Sequence, residues 1–302
     1  MKAFVKAAEV WTPDATGNRL RLATSYYGDL GDFEAISKTM SFGYGEGLPG
    51  GAWQQRRPLV WNDLKNDQFK RRNFISDTGI ESGIAIPIFS GEFLLAVAVL
   101  FCGRSGEVMG AVEVWYNNTI NPRNELRVTD GYYGDLQHFD YISRKLTIAK
   151  GRGLPGQAWE KGRPLIMTDI GNNDAFLRSQ DAAEAGICTG IALPYSILAD
   201  ETQVVTFLSA MGAPIAREFE IWIPDSANMS LRFESGFSVD RRNLAAEYDG
   251  VRYIRGEGDH GKVWITGHPQ IITSPHHPRS VFLYLPVISL GQLTAVVKFQ
   301  LQ

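Results

Sequence analysis

Hydrophobic and polar positions alternate with a period of two over much of the chain. Phe4 to Trp11 reads as a strand, closed by the turn residues Thr12-Pro13-Asp14 and Gly17-Asn18. Arg19 to Tyr27 reads as a second strand, with Leu20, Leu22 and Thr24 alternating against Arg19, Arg21 and Ala23. Phe33 to Met40 has the pattern of a short helix. Gly47-Leu48-Pro49-Gly50 reads as a sharp turn in which Gly47 and Gly50 supply unusual backbone angles, and Gly51 to Gln55 begins a short helix. Pro58 to Asp63 is a short strand and Gln68 to Asp77 a helix. Gly83 to Phe89 and Phe93 to Cys102 are two further strands. The order β-β-α-α-β-α-β-β predicts an α+β unit with a mostly antiparallel sheet.

The same unit occurs three times. Gly45-Glu46-Gly47-Leu48-Pro49-Gly50-Gly51-Ala52-Trp53 recurs as Gly151-Arg152-Gly153-Leu154-Pro155-Gly156-Gln157-Ala158-Trp159. It recurs again as Gly256-Glu257-Gly258-Asp259-His260-Gly261-Lys262-Val263-Trp264. Glu9-Val10-Trp11 likewise returns as Glu113-Val114-Trp115 and Glu220-Ile221-Trp222. A period near 105 residues (151 − 45 = 106; 256 − 151 = 105) means whole domains rather than a solenoid of small units. The expected domains are 1–105, 106–213 and 214–302, joined by very short linkers near Gly103–Gly106 and Met211–Arg217. The third is truncated. Its Ser274 and Pro286 are 12 residues apart, whereas Asp63 and Pro87 are 24 apart, so the segment that reads as a roof helix is missing.

Composition narrows the class. The 302 residues are 44% hydrophobic and 21% charged, as in ordinary globular proteins. A net charge of −3 gives no footprint for nucleic acid, and two cysteines make no disulfide scaffold. The apolar run from Phe93 to Cys102 is about half the roughly 20 residues that span a bilayer, and the N-terminus has no signal-peptide core. A cytoplasmic protein with no membrane partner is expected.

The run Gly-x-Gly-Leu-Pro-Gly-x-Ala-Trp, followed by Arg-Pro-Leu-Val/Ile and Asp63 or Asp169, resembles the GAF domain family of small-molecule sensor modules. The resemblance continues through Phe69 or Phe176 into Gly79–Pro87 and Gly186–Pro194. It implies three tandem GAF-like domains, each a central antiparallel sheet with short helices mainly on one face. It also implies a ligand pocket between that face and the helices. The wall candidates in repeat one are Trp53, Trp61, Phe69, Arg71, Phe74, Ser82 and Ala85. In repeat two they are Trp159, Met167, Phe176, Arg178, Thr189 and Ala192. GAF relatives that reduce methionine sulfoxide need paired cysteines, and those that attach bilins show a Cys-His pair; neither is present within one repeat.

Each candidate also has a plainer role. The repeat tryptophans Trp53, Trp159 and Trp264 can anchor the short helix onto the sheet, and Asp63 and Asp169 can cap a helix or form a turn. Arg71 and Arg178 can lie on a solvated helix face. Cys102 and Cys188 can be small buried hydrophobes. The Gly-rich turn lacks a P-loop ending, and His276-His277 have no metal-ligand spacing. No Ser-His-Asp or paired-carboxylate set is recognisable.

The leading expectation is a non-enzymatic sensor or regulatory module for an unknown small molecule; the competing one is an assembly module that keeps the fold without a ligand. The residues name no cofactor, and a signal would leave through a homo-oligomer or a separate output protein. Two features remain outside this scheme. Glu9, Glu113 and Glu220 each share a strand face with a tryptophan two residues on. Phe93 to Cys102 is apolar on both faces, with no flanking helix to cover the second. The outer sheet faces are therefore expected to bury against each other, another repeat or a second chain.

Overall fold

A computed structural model describes residues 4–103, 110–117, 124–196, 201–210, 214–225, 227, 229–241, 243–274 and 280–301. Parts of both expected linkers and the pair His276-His277 lie outside these residues. Repeat one runs β1 (Val5–Pro13), β2 (Arg19–Tyr26), α1 (Gly31–Thr39), β3 (Ser41–Gly43), α2 (Gly47–Gln55), β4 (Leu59–Trp61), β5 (Ile80–Ser90) and β6 (Phe93–Gly103). The chain order folds into one six-stranded antiparallel sheet, β3-β2-β1-β6-β5-β4. Repeat two runs β7 (Gly110–Asn117), β8 (Glu125–Tyr132), α3 (Gln137–Lys145), β9 (Thr147–Ala149), α4 (Gly153–Lys161), β10 (Leu165–Thr168), α5 (Ser179–Glu184), β11 (Ile187–Tyr195) and β12 (Thr202–Ala210). Repeat three runs β13 (Glu218–Asp225), β14 (Ser230–Ser238), α6 (Leu244–Glu247), β15 (Arg252–Ile254), α7 (Gly258–Thr266), β16 (Gln270–Thr273), β17 (Val281–Ser289) and β18 (Gln292–Gln300). All three sheets have the same strand order, and each first strand carries its bulge at the residue before the tryptophan.

Three local expectations change. The three-residue strand β3 is too short to show a period in sequence. The Gly-rich turn is already helical, because α2 starts at Gly47, where the backbone is left-handed (φ 60°). Gly50 is needed for a different reason: a Cβ there would overlap the carbonyl oxygen of Gly43 on β3. The helix expected over Gln68–Asp77 is a single 3-10 turn, Arg72–Phe74, between other turns. Repeat two has α5 in this region. Among the described residues repeat three has no helix between β16 and β17.

The two faces of each sheet lead to different cores. In repeat one Ala7, Trp11, Ala85, Val97, Val99 and Phe101 pack with Phe33, Phe42, Leu48 and Phe69 of the helical side. The alternate residues Ala8, Val10, Ile84, Ile86, Ala96, Ala98 and Leu100 face the other way. They join Val112, Leu193 and Phe207 of repeat two and Ile221, Leu285 and Phe299 of repeat three in one shared core. The rings of Phe207 and Phe299 meet across repeats at 5.6 Å. The apolar outer faces are thus covered within one chain, as their double-sided pattern required.

The packing closes a ring. Strand β4 packs on β8, β10 on β14, and β16 on β1 and β2. Each repeat therefore presents its fourth strand to the second strand of the next, and repeat three returns to repeat one. This is the head-to-tail contact that closes a cyclic trimer, made here within a single chain.

Candidate functional site

Between the sheet and the helical side of repeat one, Glu9 is wholly buried and Arg71 is 1% exposed. Glu9 is placed on the inner face by the alternation that also turns Trp11 inward. The Trp11 indole donates to Glu9 Oε2 (2.8 Å) and the Tyr27 hydroxyl to Oε1 (2.7 Å). Arg71 reaches down from the roof turn. Its Nη1 donates to Glu9 Oε1 and to the Ser37 hydroxyl, and its Nη2 to Oε2 at 3.2 Å. The rings of Phe33, Phe69 and Phe101 stand 4.7, 5.2 and 5.1 Å from the guanidinium. A carboxylate with an aromatic surround is a cation site, and the cation is the protein's own.

Repeat two repeats the arrangement. Glu113 is wholly buried and accepts from Trp115 (2.9 Å), Tyr133 (3.1 Å), Thr206 (2.9 Å) and both terminal nitrogens of Arg178. Burial alone would push the Glu113 carboxyl up, but Arg178 and these donors outweigh it and hold the group below its ordinary value. Tyr133 is raised, chiefly by burial and then by the Glu113 charge.

Repeat three keeps the glutamate and its tryptophan donor and replaces the other partners. Glu220 accepts from Trp222 (2.8 Å), Tyr248 (2.7 Å) and Lys298 (2.8 Å). Arg241, one-third exposed, binds the neighbouring Glu218 and also reaches Glu220 at 3.2 Å. Lys298, which an alternating strand pattern assigns to a water-facing side, is 12% exposed and turned inward to this pair.

The wall candidates from sequence divide accordingly. Phe69, Ala85, Met167, Phe176 and Ala192 belong to the two interior cores. Arg71 and Arg178 are buried ion-pair members, not residues of a solvated helix face, because each has a buried carboxylate to meet. Trp53, Trp61 and Trp159 are half-buried at the margin of those cores, so the deeply buried tryptophans are instead Trp11, Trp115 and Trp222. Phe74 is 41% exposed, since the 3-10 turn carries it outward. Ser82 and Thr189 lie on the opposite sheet face from Ala85 and Ala192, by alternation with Ile84 and Ile191 of the shared core. Asp63 accepts from the Lys65 amide in a turn, and Asp169 holds the Asn172 side chain. Burial pushes the Cys102 thiol up to about 12. Among the described residues no group of three or more His, Cys, Asp or Glu could hold a metal, and no helix is long and apolar enough to cross a membrane.

Residues 5–114 match the GAF domain family. With the same strand order in all three sheets, the chain is built of tandem GAF-like repeats, an α+β fold of a family whose members are generally small-molecule sensing or regulatory modules. Solved structures similar to part of the chain include the nlh2 GAF domain of A. aeolicus in an inactive state, at 28% identity over 33% of this chain and 59% of that one (TM-score 0.27). The free methionine-R-sulfoxide reductase of Neisseria meningitidis is 17% identical over 32% of this chain and 52% of its own (TM-score 0.26). NreA of Staphylococcus aureus, mutated in its nitrate-binding site, is 16% identical over 35% of this chain and 77% of its own (TM-score 0.28). The chain thus spans little more than half the length of the first of these. No curated protein matches it.

Proposed function

We propose that this chain is a non-enzymatic regulatory module that works as an assembly scaffold, with three GAF-like repeats held as one ring. The observation that carries this reading is the pairing of Arg71 with Glu9 and of Arg178 with Glu113. These buried, charge-balanced side chains stand between sheet and roof, where the family resemblance puts a ligand, and so support a reading without one. Burial of Cys102, which pushes its thiol up to about 12, removes that residue as a nucleophile. A second copy or a separate output protein would dock on the outside of the ring, where Tyr44, Tyr141 and Ile265 are exposed on the helical sides. Small-molecule sensing inside repeats one and two is the second reading, favoured by the family match. It requires a ligand that displaces an arginine.

Calorimetric titration with nitrate and with free methionine sulfoxide, followed by native mass spectrometry of the desalted protein, tests this. The scaffold reading expects no binding heat and a mass equal to the chain or a simple multiple of it. A retained small molecule, or binding that changes in Arg71→Met or Arg178→Met, supports sensing instead.

A further inference from the structure

The three junctions of the ring occupy equivalent positions, so each serves as a reference for the others. Two of them join repeats that follow one another in the chain. The third brings repeat three back to repeat one. At the junction of repeats one and two, the Val60 amide donates to Asp130 Oδ2 at 2.8 Å. At the junction of repeats three and one, the Thr24 hydroxyl donates to the carbonyl of Ile271 at 3.1 Å. Thr24 and Asp130 stand two residues past Leu22 and Val128, the partners of Trp11 and Trp115; Val60 and Ile271 each lie seven residues past a repeat tryptophan.

The side chains around this shared contact differ sharply. At the junction of repeats two and three, Arg163 and Glu234 form an ion pair at 2.9 Å. In the register of the repeats, Arg163 corresponds to Arg57 and His268, each four residues past the repeat tryptophan. Glu234 corresponds to Ala23 and Thr129, each one residue past the partner of the first-strand tryptophan. Between repeats one and two, a cleft of about 710 Å³ is lined by Arg56, Arg57, Glu92 and Glu201 among others. Between repeats three and one, the equivalent cleft, about 660 Å³ and open to solvent, has no Asp, Glu, Lys or Arg among the described residues that line it. Leu94, Leu95 and Ile272 give it an apolar wall, and Thr12, His268 and Gln270 add polar groups. Its size falls within the range of small-molecule sites, which favour domain interfaces. Gly267, left-handed at the end of α7 (φ 67°), lies so close to Leu95 that a side chain there would collide with it, so the two repeats meet tightly at the cleft's edge.

We propose that the cleft between repeats three and one is a binding site for an uncharged amphiphilic small molecule, one with an apolar body and one or two hydrogen-bonding groups. The described lining has no carboxylate, lysine or arginine to pair with a charged ligand and offset its desolvation, whereas an apolar body gains from Leu94, Leu95 and Ile272. The bound molecule touches the first and last repeats together. It therefore clamps the one junction that has no linker peptide. This site lies outside the buried ion pairs of the repeats, although Leu94 also packs on the interior core of repeat one, and it does not depend on how the chain's partners dock.

The test is a fluorescence titration of the full chain with prodan, an uncharged naphthalene ketone whose emission shifts to the blue in an apolar site. The proposal expects saturable one-to-one binding. The double variant Ala23→Glu/His268→Arg transplants the Arg163–Glu234 pair into the cleft and is expected to weaken binding at least tenfold, with circular dichroism and melting temperature retained. Leu94→Glu, which places the residue of the equivalent position Glu201, is a second variant with the same expected loss should the first fail to fold. Absence of saturable binding to the wild type overturns the proposal. So does a folded variant of either kind that binds prodan as the wild type does.

Discussion

Lys298 donates to Glu220 at 2.8 Å across adjacent strands, from the register position where Val99 faces Glu9 and Thr206 faces Glu113. The buried carboxylate is common to all three repeats, but the origin of its cation is not. Repeats one and two lower an arginine from the roof segment. Repeat three has lost that segment and places its cation on the last strand, with Arg241 added from the side. A buried carboxylate without a partner is costly, so loss of the roof requires such a replacement. Lys298→Met is therefore expected to destabilise the protein by about 2–4 kcal/mol, near the cost of breaking a buried pair but moderated by Arg241. Urea denaturation at neutral pH measures it; an unchanged midpoint would show that Arg241 alone neutralises the site.

The pair Arg71–Glu9 gives a sharper test through a double-mutant cycle. Arg71→Met leaves Glu9 charged and enclosed, and is expected to cost about 3–5 kcal/mol. Glu9→Gln combined with Arg71→Met removes both charges and should recover most of that loss, because hydrophobic replacement of a whole buried pair is often nearly neutral. Additive losses would mean that the two residues act independently and would contradict the pairing.

The Gly-rich motif makes its own prediction. Gly50, Gly156 and Gly261 hold equivalent places in α2, α4 and α7, and a Cβ on each would overlap a backbone oxygen: Gly43, Ala149 and Ile254 respectively. A backbone oxygen cannot move aside as a flexible side chain can. Gly→Ala at each position should therefore lower stability by about 1–3 kcal/mol or more. Alanine at Gly17, whose surroundings are open, should cost less, since there only the left-handed backbone is strained. Comparable melting temperatures for Gly50→Ala and Gly17→Ala would contradict the close-approach explanation.

His260 should give the protein an acid-sensitive third repeat. Its ring stacks on Tyr253 at 3.9 Å and meets Trp222 and Tyr284 edge-on, while its buried Nε2 has no hydrogen-bond partner among the described residues. Burial, with Lys298 adding to it, pushes the imidazole down to about 3. The unfolded chain takes up this proton near pH 6.5, but the folded one does so only near pH 3. Stability is therefore fully present above pH 6.5 and falls as pH drops toward 3, by about 1.4 kcal/mol per pH unit from this group. Melting curves from pH 7 to 4.5 should show a steeper fall for the wild type than for His260→Phe. Parallel curves would show that His260 does not set the acid sensitivity.

Sequence pattern made the repeats and the fold class readable, because strands of eight or more residues show their period and three collinear copies reinforce one another. The double-sided apolar strand Phe93–Gly103 also foretold a covered second face. The interior was harder to read. Glu9 was conspicuous beside Trp11, and Arg71 stood on the right segment, but a separation of 62 positions carries no local signal of contact. The available signal was comparative: Glu9 and Glu113 occur with Arg71 and Arg178, whereas Glu220 occurs in the copy that lacks the roof and has a lysine inside an apolar strand. The junction residues were not legible, since Asp130, Ala23 and His268 become neighbours of other repeats only when the repeats pack.

The three sheets share one core, and calorimetric unfolding tests this most directly. A common core formed by Ala98, Phe207 and Phe299 together leaves no repeat able to unfold without exposing the faces of the other two. One transition is predicted, with calorimetric and van't Hoff enthalpies equal. Two or three resolved transitions, each assignable to a single repeat, would contradict it.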